Sequence, residues 1–346
     1  MDMSKTTKAI STLSVLLLIS RVFGFVREII IAAHYGATYQ TDAYNMATLI
    51  IALTSSVIST GVATVIVPMY NHKRLQNTKQ ETDSFVNNVL WATSLLCAVL
   101  AVAGIIFAPI VVRIFAPNFE PHTIALTANI LRIMFGFIVA MNISSITASI
   151  AQIHDKFAAI IVAKLPSTLL VAILVGFFAH KIGVYALVIS YVLFLLIQML
   201  ILTLSVRKML KFAFVLDFVK NNDLKDVARL SFPLYMSVAL WEINMLIDKI
   251  LASGLPEGSV SAIIYASRLR NLPDGIITTS VITVMFPLLS RYAAGKEFAK
   301  LKTMLNKAIS LLCMALLPVI TISVYYAEEI TAIVYERGLS HRTKPC

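Results

Sequence analysis

Long apolar runs broken by short polar clusters dominate this chain. Nine stretches, at about 10–33, 42–69, 85–112, 123–151, 157–179, 183–206, 230–254, 260–289 and 306–327, reach the roughly 20 apolar residues that a helix needs to cross a bilayer core. None shows the period-two alternation of a membrane barrel, so helices are the expected form. The first run lacks a small-residue cleavage site and continues into Arg27 and Glu28, which reads as a retained helix and not a removed signal. The expected fold class is therefore all-α: a polytopic membrane protein of about nine transmembrane helices.

The runs repeat. Thr64-Val65-Ile66-Val67-Pro68 and Thr283-Val284-Met285-Phe286-Pro287 stand 219 residues apart (287 − 68). The same offset pairs Asp42-Ala43 with Ser261-Ala262, Ala47 with Ala266, and Ile114-Phe115 with Ile333-Val334. A lobe duplicated in the same direction is a transporter architecture, with the substrate path between the copies. Residues 1–206 read as a complete six-helix lobe, 207–229 as a basic amphipathic connector, and 230–337 as three further helices, the first half of the second lobe. Cys346 is equivalent to position 127 of the first copy (346 − 219), and residues 338–346 lose the apolar pattern. On this reading the second lobe is truncated, and an inactive fragment is one of the expectations.

Composition agrees: 58% hydrophobic, 14% charged, mean hydropathy +0.84. The net charge of +11 could signal nucleic acid, but its placement argues for membrane topology. Lys5 and Lys8 precede the first helix. Lys73, Arg74 and Lys79 follow the second, Lys156 the fourth, a run from Arg207 to Arg229 the sixth, and Arg291 to Lys307 the eighth. Such asymmetry predicts a cytoplasmic N-terminus. The connector interleaves its cations with Phe212, Phe214, Val215, Phe218 and Val219, which suits an inner-leaflet surface helix. Cys97 and Cys313 read as packing residues, and no cysteine or histidine spacing suggests a metal site.

Charged side chains within apolar helices are functional candidates because burial in lipid is costly. Ser20, Gly24 and Arg27 share one face of the first helix, with Arg21 about 120° from Arg27. The two guanidiniums can line two walls of a cavity and suit phosphate through paired hydrogen bonds. Arg27 could equally be an ion-pair partner of Glu28 or Asp42. Ser261, Tyr265 and Arg268 share a face of the eighth helix, which supplies a third cation. Glu242 and Asp248 on the seventh helix are candidates for holding a sodium ion or a proton, or for internal salt bridges. Asp42 opens the second helix, where capping is the plainer role. Arg132 reads as structural. Pro166 and Pro318 are expected to bend their helices, and Pro273-Asp274-Gly275 to kink or break the eighth.

Ser20-Arg21-x-x-Gly24-x-x-Arg27-Glu28 followed by Thr41-Asp42-Ala43-Tyr44 resembles the opening of the MurJ (MviN) lipid II flippases, of the multidrug/oligosaccharidyl-lipid/polysaccharide exporter superfamily. Gly258-Ser259-Val260-Ser261 with Tyr265-Ala266-Ser267-Arg268-Leu269, Ile130–Phe135 and Val334-Tyr335-Glu336-Arg337-Gly338 are similar to further family landmarks. The resemblance spans residues 5 to about 338. It implies a flippase that moves lipid-linked peptidoglycan precursor across a bacterial plasma membrane by alternating access. Ser20, Arg21, Arg27, Asp42, Ser261 and Arg268 match positions important in the family, with the three arginines on the diphosphate. Asp248 resembles a carboxylate associated with sodium in some members. The implied partners are the lipid-linked diphosphate sugar and the bilayer, with no nucleic acid. No organic cofactor is expected; coupling to a sodium ion or to the membrane potential is. The chain departs from the pattern at Thr54-Ser55-Ser56, where many members carry an arginine, at Asn271, where some carry glutamate, and in its nine helices against the usual fourteen. An exporter of another lipid-linked oligosaccharide or of a drug is the near rival. A membrane-embedded transferase would need clustered carboxylates or histidines at a cytoplasmic loop, and the sequence shows none there.

Overall fold

A computed structural model describes residues 3–76, 78–214 and 222–335. Among these the chain forms twelve helices: α1 (Met3–Tyr35), α2 (Tyr39–Gln76), α3 (Lys79–Phe115), α4 (Pro121–Phe135), α5 (Ile138–Ile153), α6 (Phe157–Val162), α7 (Pro166–Ile182), α8 (Tyr185–Val206), α9 (Asn222–Ala252), α10 (Ser259–Ala294), α11 (Phe298–Tyr325) and α12 (Ala327–Tyr335). Each of the nine apolar segments coincides with one helix or with a broken pair, α4 with α5 and α6 with α7. Among the described residues five helices, α6 and α7 together counting as one, are long and apolar enough to cross a membrane, and the bent pair α4–α5 makes a sixth span.

Lipid-facing logic is clearest on α3. Leu95, Leu96, Val99, Val102, Ile106, Phe107, Ile110 and Ile114 are exposed, while Cys97, Ala101, Gly104, Ala108 and Val112 are buried. Large apolar groups face outward and small ones face the bundle. In lipid no hydrophobic force drives helices together, so close approach of small residues and interhelical hydrogen bonds do so instead. Both occur here. The Phe135 ring of α4 fills the place of a side chain at Gly104, and the Asn142 amide of α5 donates to Thr93 Oγ1 at 3.0 Å and Ser94 Oγ at 3.1 Å on α3. Thr168 Oγ1 of α7 donates to the Phe23 carbonyl of α1 at 2.7 Å. Arg132 donates to the Ile105 carbonyl of α3 and to Asn129 Oδ1.

By packing, the chain divides into residues 1–261 and 262–346. In the first unit α2 packs most extensively against α9. The second unit holds the rest of α10 with α11 and α12. There Tyr265 stacks on Tyr335 with ring centroids 5.1 Å apart, and the Tyr335 hydroxyl donates to the Tyr265 carbonyl.

Three local expectations need correction. Segment 123–151 is not one helix: α4 and α5 meet at 48° around Gly136 and Phe137, where the Phe137 amide closes a short turn onto the Met134 carbonyl. At Pro166 the segment breaks and a new helix begins where a bend was expected, α10 runs without a break through Pro273-Asp274-Gly275, and Pro318 lies inside a continuous α11. The connector is not an amphipathic helix at 211–214. The Asn87 side chain of α3 donates to the Lys211 carbonyl at 2.7 Å and accepts from the Ala213 amide at 3.3 Å, and Trp91 Nε1 donates to the Ala213 carbonyl. Such side-chain pairing meets the backbone's need for partners without a helix. The rest of the amphipathic pattern, Val215 to Val219, and the tail 338–346 lie outside the described residues. Cys97 is buried as a packing residue, whereas Cys313 is exposed on α11.

Gly104 and Gly176 test the packing argument. A Cβ at Gly104 would lie 2.6 Å from the Phe135 ring, whereas at Gly176 it meets nothing within 4 Å. Gly104→Ala should destabilise the detergent-solubilised protein by about 1–3 kcal/mol through overpacking. Gly176→Ala should be neutral or stabilising by up to about 1 kcal/mol. Unfolding followed by tryptophan fluorescence measures both, and equal midpoints would show that the Phe135 ring moves freely.

Candidate functional site

The densest buried polar arrangement joins the start of α2 to the start of α10. Helix α10 begins with backbone amides that no helical carbonyl can satisfy. Asp42 supplies the missing acceptors from another helix. Its Oδ2 accepts from the Gly258 amide at 2.7 Å, and its Oδ1 accepts from the Ser261 amide at 2.7 Å and from Ser261 Oγ at 2.6 Å. Asn45, one turn beyond Asp42, donates from Nδ2 to Ser261 Oγ at 3.0 Å. Asp42 is 3% exposed and Ser261 fully buried. A carboxylate at a helix N-terminus gains from both the free amides and the helix dipole.

Backbone geometry makes room for this contact. Gly258 has φ of +90°, and a Cβ there would collide with the carbonyl of Ala37. The turn before α2 is itself held by Thr41, whose Oγ1 donates to the Gly36 carbonyl at 3.0 Å and accepts from the Thr38 amide at 2.9 Å. At the rim, His122 Nδ1 lies 3.4 Å from Glu120 Oε2, and His122 Nε2 lies 3.2 Å from Glu257 Oε1. These three exposed residues are the one group of three or more potential metal ligands among the described residues.

Asp42 and Ser261 are separated by 219 residues, the repeat offset, so positions equivalent in the two copies touch each other. The sequence pairs them by alignment, and the structure pairs them by hydrogen bonds. Asn45 and Gly258 were not singled out as site residues. The available signal was Asn45 one helical turn from Asp42, and a glycine immediately before the α10 start.

The remaining candidates are placed as follows. Arg27 Nη2 lies 2.8 Å from Glu28 Oε1, with Glu28 buried and the Arg27 side chain 28% exposed. Thus the pairing weighed for Arg27 is with Glu28, and Asp42 is engaged elsewhere. The Tyr44 and Tyr191 phenols stand within electrostatic range of the Arg27 guanidinium. Ser20 is half-buried and Arg21 exposed on α1, and a Cβ at Gly24 meets nothing within 4 Å, so this stretch borders open space. Arg268 is exposed on α10, in the second unit. Asp248 is exposed and Glu242 half-buried on α9, and neither joins a group of three or more potential ligands among the described residues.

A sequence profile described as "Lipid II flippase MurJ" matches residues 31–344. Among curated proteins, the chain is 28% identical over 341 residues to the "Probable lipid II flippase MurJ" of Buchnera aphidicola subsp. Acyrthosiphon pisum, covering 96% of this chain and 66% of that protein. It is 25% identical over 346 residues to the "Lipid II flippase MurJ" of Burkholderia cenocepacia, with the same two coverages. The chain thus spans about two-thirds of the length of the curated relatives it matches. Among solved structures, "Lipid II flippase MurJ, inward closed conformation" superposes with a TM-score of 0.79 at 23% identity, over 94% of this chain and 68% of that one. An inward-facing multidrug resistance MATE transporter of the MOP superfamily superposes at 0.69 and 15% identity, over 95% and 76%. These structures establish the shared fold.

The Asp42 junction carries a direct expectation. Asp42→Ala removes the acceptors of two buried amides and one hydroxyl, and each hydrogen bond to a charged group contributes about 1.5–3 kcal/mol. Exchange of the Gly258 and Ser261 amides with deuterium should accelerate by at least about 30-fold, the equivalent of about 2 kcal/mol. Asp42→Asn keeps one acceptor and should give a smaller effect. Unchanged exchange in Asp42→Ala would show that the junction opens independently of the carboxylate.

Proposed function

Because the chain belongs to the lipid II flippase MurJ family, we propose that it moves a lipid-linked diphosphate sugar, lipid II foremost, between membrane leaflets by alternating access, with the Asp42–Ser261 junction as a gate. The observation that carries this reading is the buried carboxylate joining repeat-equivalent ends of α2 and α10. A gate must close firmly and still open. Polar contacts suit that requirement, because water replaces the lost partners on opening and the net contribution of each bond is far smaller than its strength in a dry site. An apolar seam of the same area would offer no such substitution.

In this reading Arg21 and Arg27 take the diphosphate, since guanidiniums stay charged and donate in pairs to phosphate oxygens. Ser20 and the open side of Gly24 flank that path. Asp42 and Ser261 act on the gate and not on the headgroup, because each side chain is engaged by the other. Lobe motion is driven by the membrane potential or by a cation. Asp248 and Glu242 are the acidic candidates for such an ion, and no step is routed through them. The setting is a bacterial plasma membrane with the N-terminus inside, which the distribution of lysine and arginine supports.

Cells depleted of their own lipid II flippase test the proposal when given this 346-residue chain, alone or extended by the C-terminal third of a curated relative. Rescue by either form supports it. Failure of both, with each present in the membrane, overturns it in favour of another lipid-linked substrate or a drug, as the fold shared with multidrug transporters allows. Within a rescuing form, Arg27→Ala should abolish growth. Arg27→Ala with Glu28→Gln separates the roles: a headgroup ligand leaves the double variant inactive, whereas a mere counterion for Glu28 restores it.

A further inference from the structure

We propose that a cavity between the ends of α2, α3, α5 and α8, remote in sequence from the candidate diphosphate arginines, is a binding site for a phosphate anion, carried on a lipid headgroup or free in solution. The cavity measures about 330 Å³, at the small end of the roughly 300–1,000 Å³ typical of ligand pockets. Its floor is buried and aromatic: Tyr70 is 5% exposed, and its hydroxyl meets His154 Nε2 at 3.2 Å with the two rings edge to face. Three cations rise from separate elements around that floor: Arg74 one turn beyond Tyr70 on α2, Lys79 at the first turn of α3, and Lys208 just after α8.

What marks the place out from a solvated basic rim is that no acid pairs directly with its cations. Among the described residues none of Arg74, Lys79 and Lys208 forms a salt bridge. Of the acids close by in sequence, Glu81 and Asp83 are engaged with backbone, and the exposed Asp155 beside His154 forms no salt bridge with the three cations. Glu81 closes the capping box at the start of α3, accepting from the Thr78 amide and hydroxyl, and Asp83 accepts from the Lys211 amide. Lys156 is turned to the Ser205 carbonyl at 2.8 Å. Burial, then Arg74 and Lys156, hold the His154 imidazole below its ordinary range, so the floor stays neutral beneath the charged walls. Convergent like charges repel one another unless an anion sits between them. A phosphate supplies that charge and several acceptor oxygens, and basic pockets between membrane helices are known to take anionic headgroups.

The test uses the full chain in neutral detergent. Native mass spectrometry measures binding of phosphatidylglycerol and of inorganic phosphate, with diacylglycerol as a phosphate-free lipid control. The triple variant Arg74→Gln, Lys79→Gln, Lys208→Gln should weaken binding on the order of a hundredfold. The charge-matched triple variant Lys296→Gln, Lys300→Gln, Lys302→Gln should bind as the unaltered chain does. Binding of phosphatidylglycerol alone identifies a lipid headgroup as the ligand, and binding of inorganic phosphate as well identifies the phosphate group by itself. Equal weakening in both triple variants, equal binding of diacylglycerol, or no binding at all overturns the proposal. The three cations are exposed, so the first variant should keep its elution volume, and a variant that aggregates is replaced by Lys208→Gln alone, for which about a tenfold weakening is expected.

Discussion

A carboxylate taken out of water must be met by donors, and at Asp42 that requirement organises one end of the molecule. Two backbone amides and a hydroxyl converge on its two oxygens. For the amides to arrive, α10 must start at Ser259, Gly258 must take a positive φ, and the Ala37 carbonyl must pass where a side chain would otherwise stand. For the carboxylate to arrive, the turn before α2 must be held, which Thr41 does. The cost of leaving a buried charge unmet is several kcal/mol, so these features stand or fall together. Helix α2 also packs along α9, and the Asp42 contact fixes the start of α10 beside it.

Elsewhere the packing follows from the solvent being lipid. Apolar side chains gain nothing by leaving the hydrocarbon, so from Leu95 to Ile114 of α3 the large ones point outward, while at its other end Phe85, Val89 and Leu90 pack inward beside shared hydrogen bonds. Asn142 bonded to Thr93 and Ser94, and Thr168 bonded to the Phe23 carbonyl, are the internal equivalents of the Asp42 junction, uncharged and correspondingly less demanding.

Much of this was legible in the residues, for identifiable reasons. A stretch of about 20 apolar residues has few alternatives to a helix, so all nine segments found helices. Pro166 marks a helix start because its missing N–H and fixed φ suit the first helical position. The α4–α5 bend was hidden because Gly136 and Phe137 resemble any residues in an apolar run, and only the short turn onto Met134 distinguishes them. Pro273 does not break α10, since a helix in a bundle can continue past a lost hydrogen bond. In the site, Asp42, Ser261 and Arg27 stand out in the sequence as candidates for the substrate path, but the partner of Asp42 lies 219 residues away. The repeat alignment placed the two in register without stating that they touch. The strap at 211–214 was illegible because its partner, Asn87, sits inside an otherwise unremarkable helix.

That repeat-equivalent positions touch also explains why the two copies differ there. A contact between like residues would fail on either choice. Two aspartates would place two carboxylates in one dry site, which forces one to be neutralised. Two serines would leave the α10 amides with at most one weak acceptor each. One copy must therefore carry the acceptor and the other the donors, and Asp42 opposite Ser261 is that division. The side-chain length is constrained as well. Asn in place of Asp would present an N–H to a backbone N–H, and Glu would carry its oxygens past the Gly258 amide, which the Ala37 carbonyl already confines. Divergence between the copies at this pair is thus a consequence of bringing them together, and the Ser261 hydroxyl, accepting from Asn45 while donating to Asp42, completes the set.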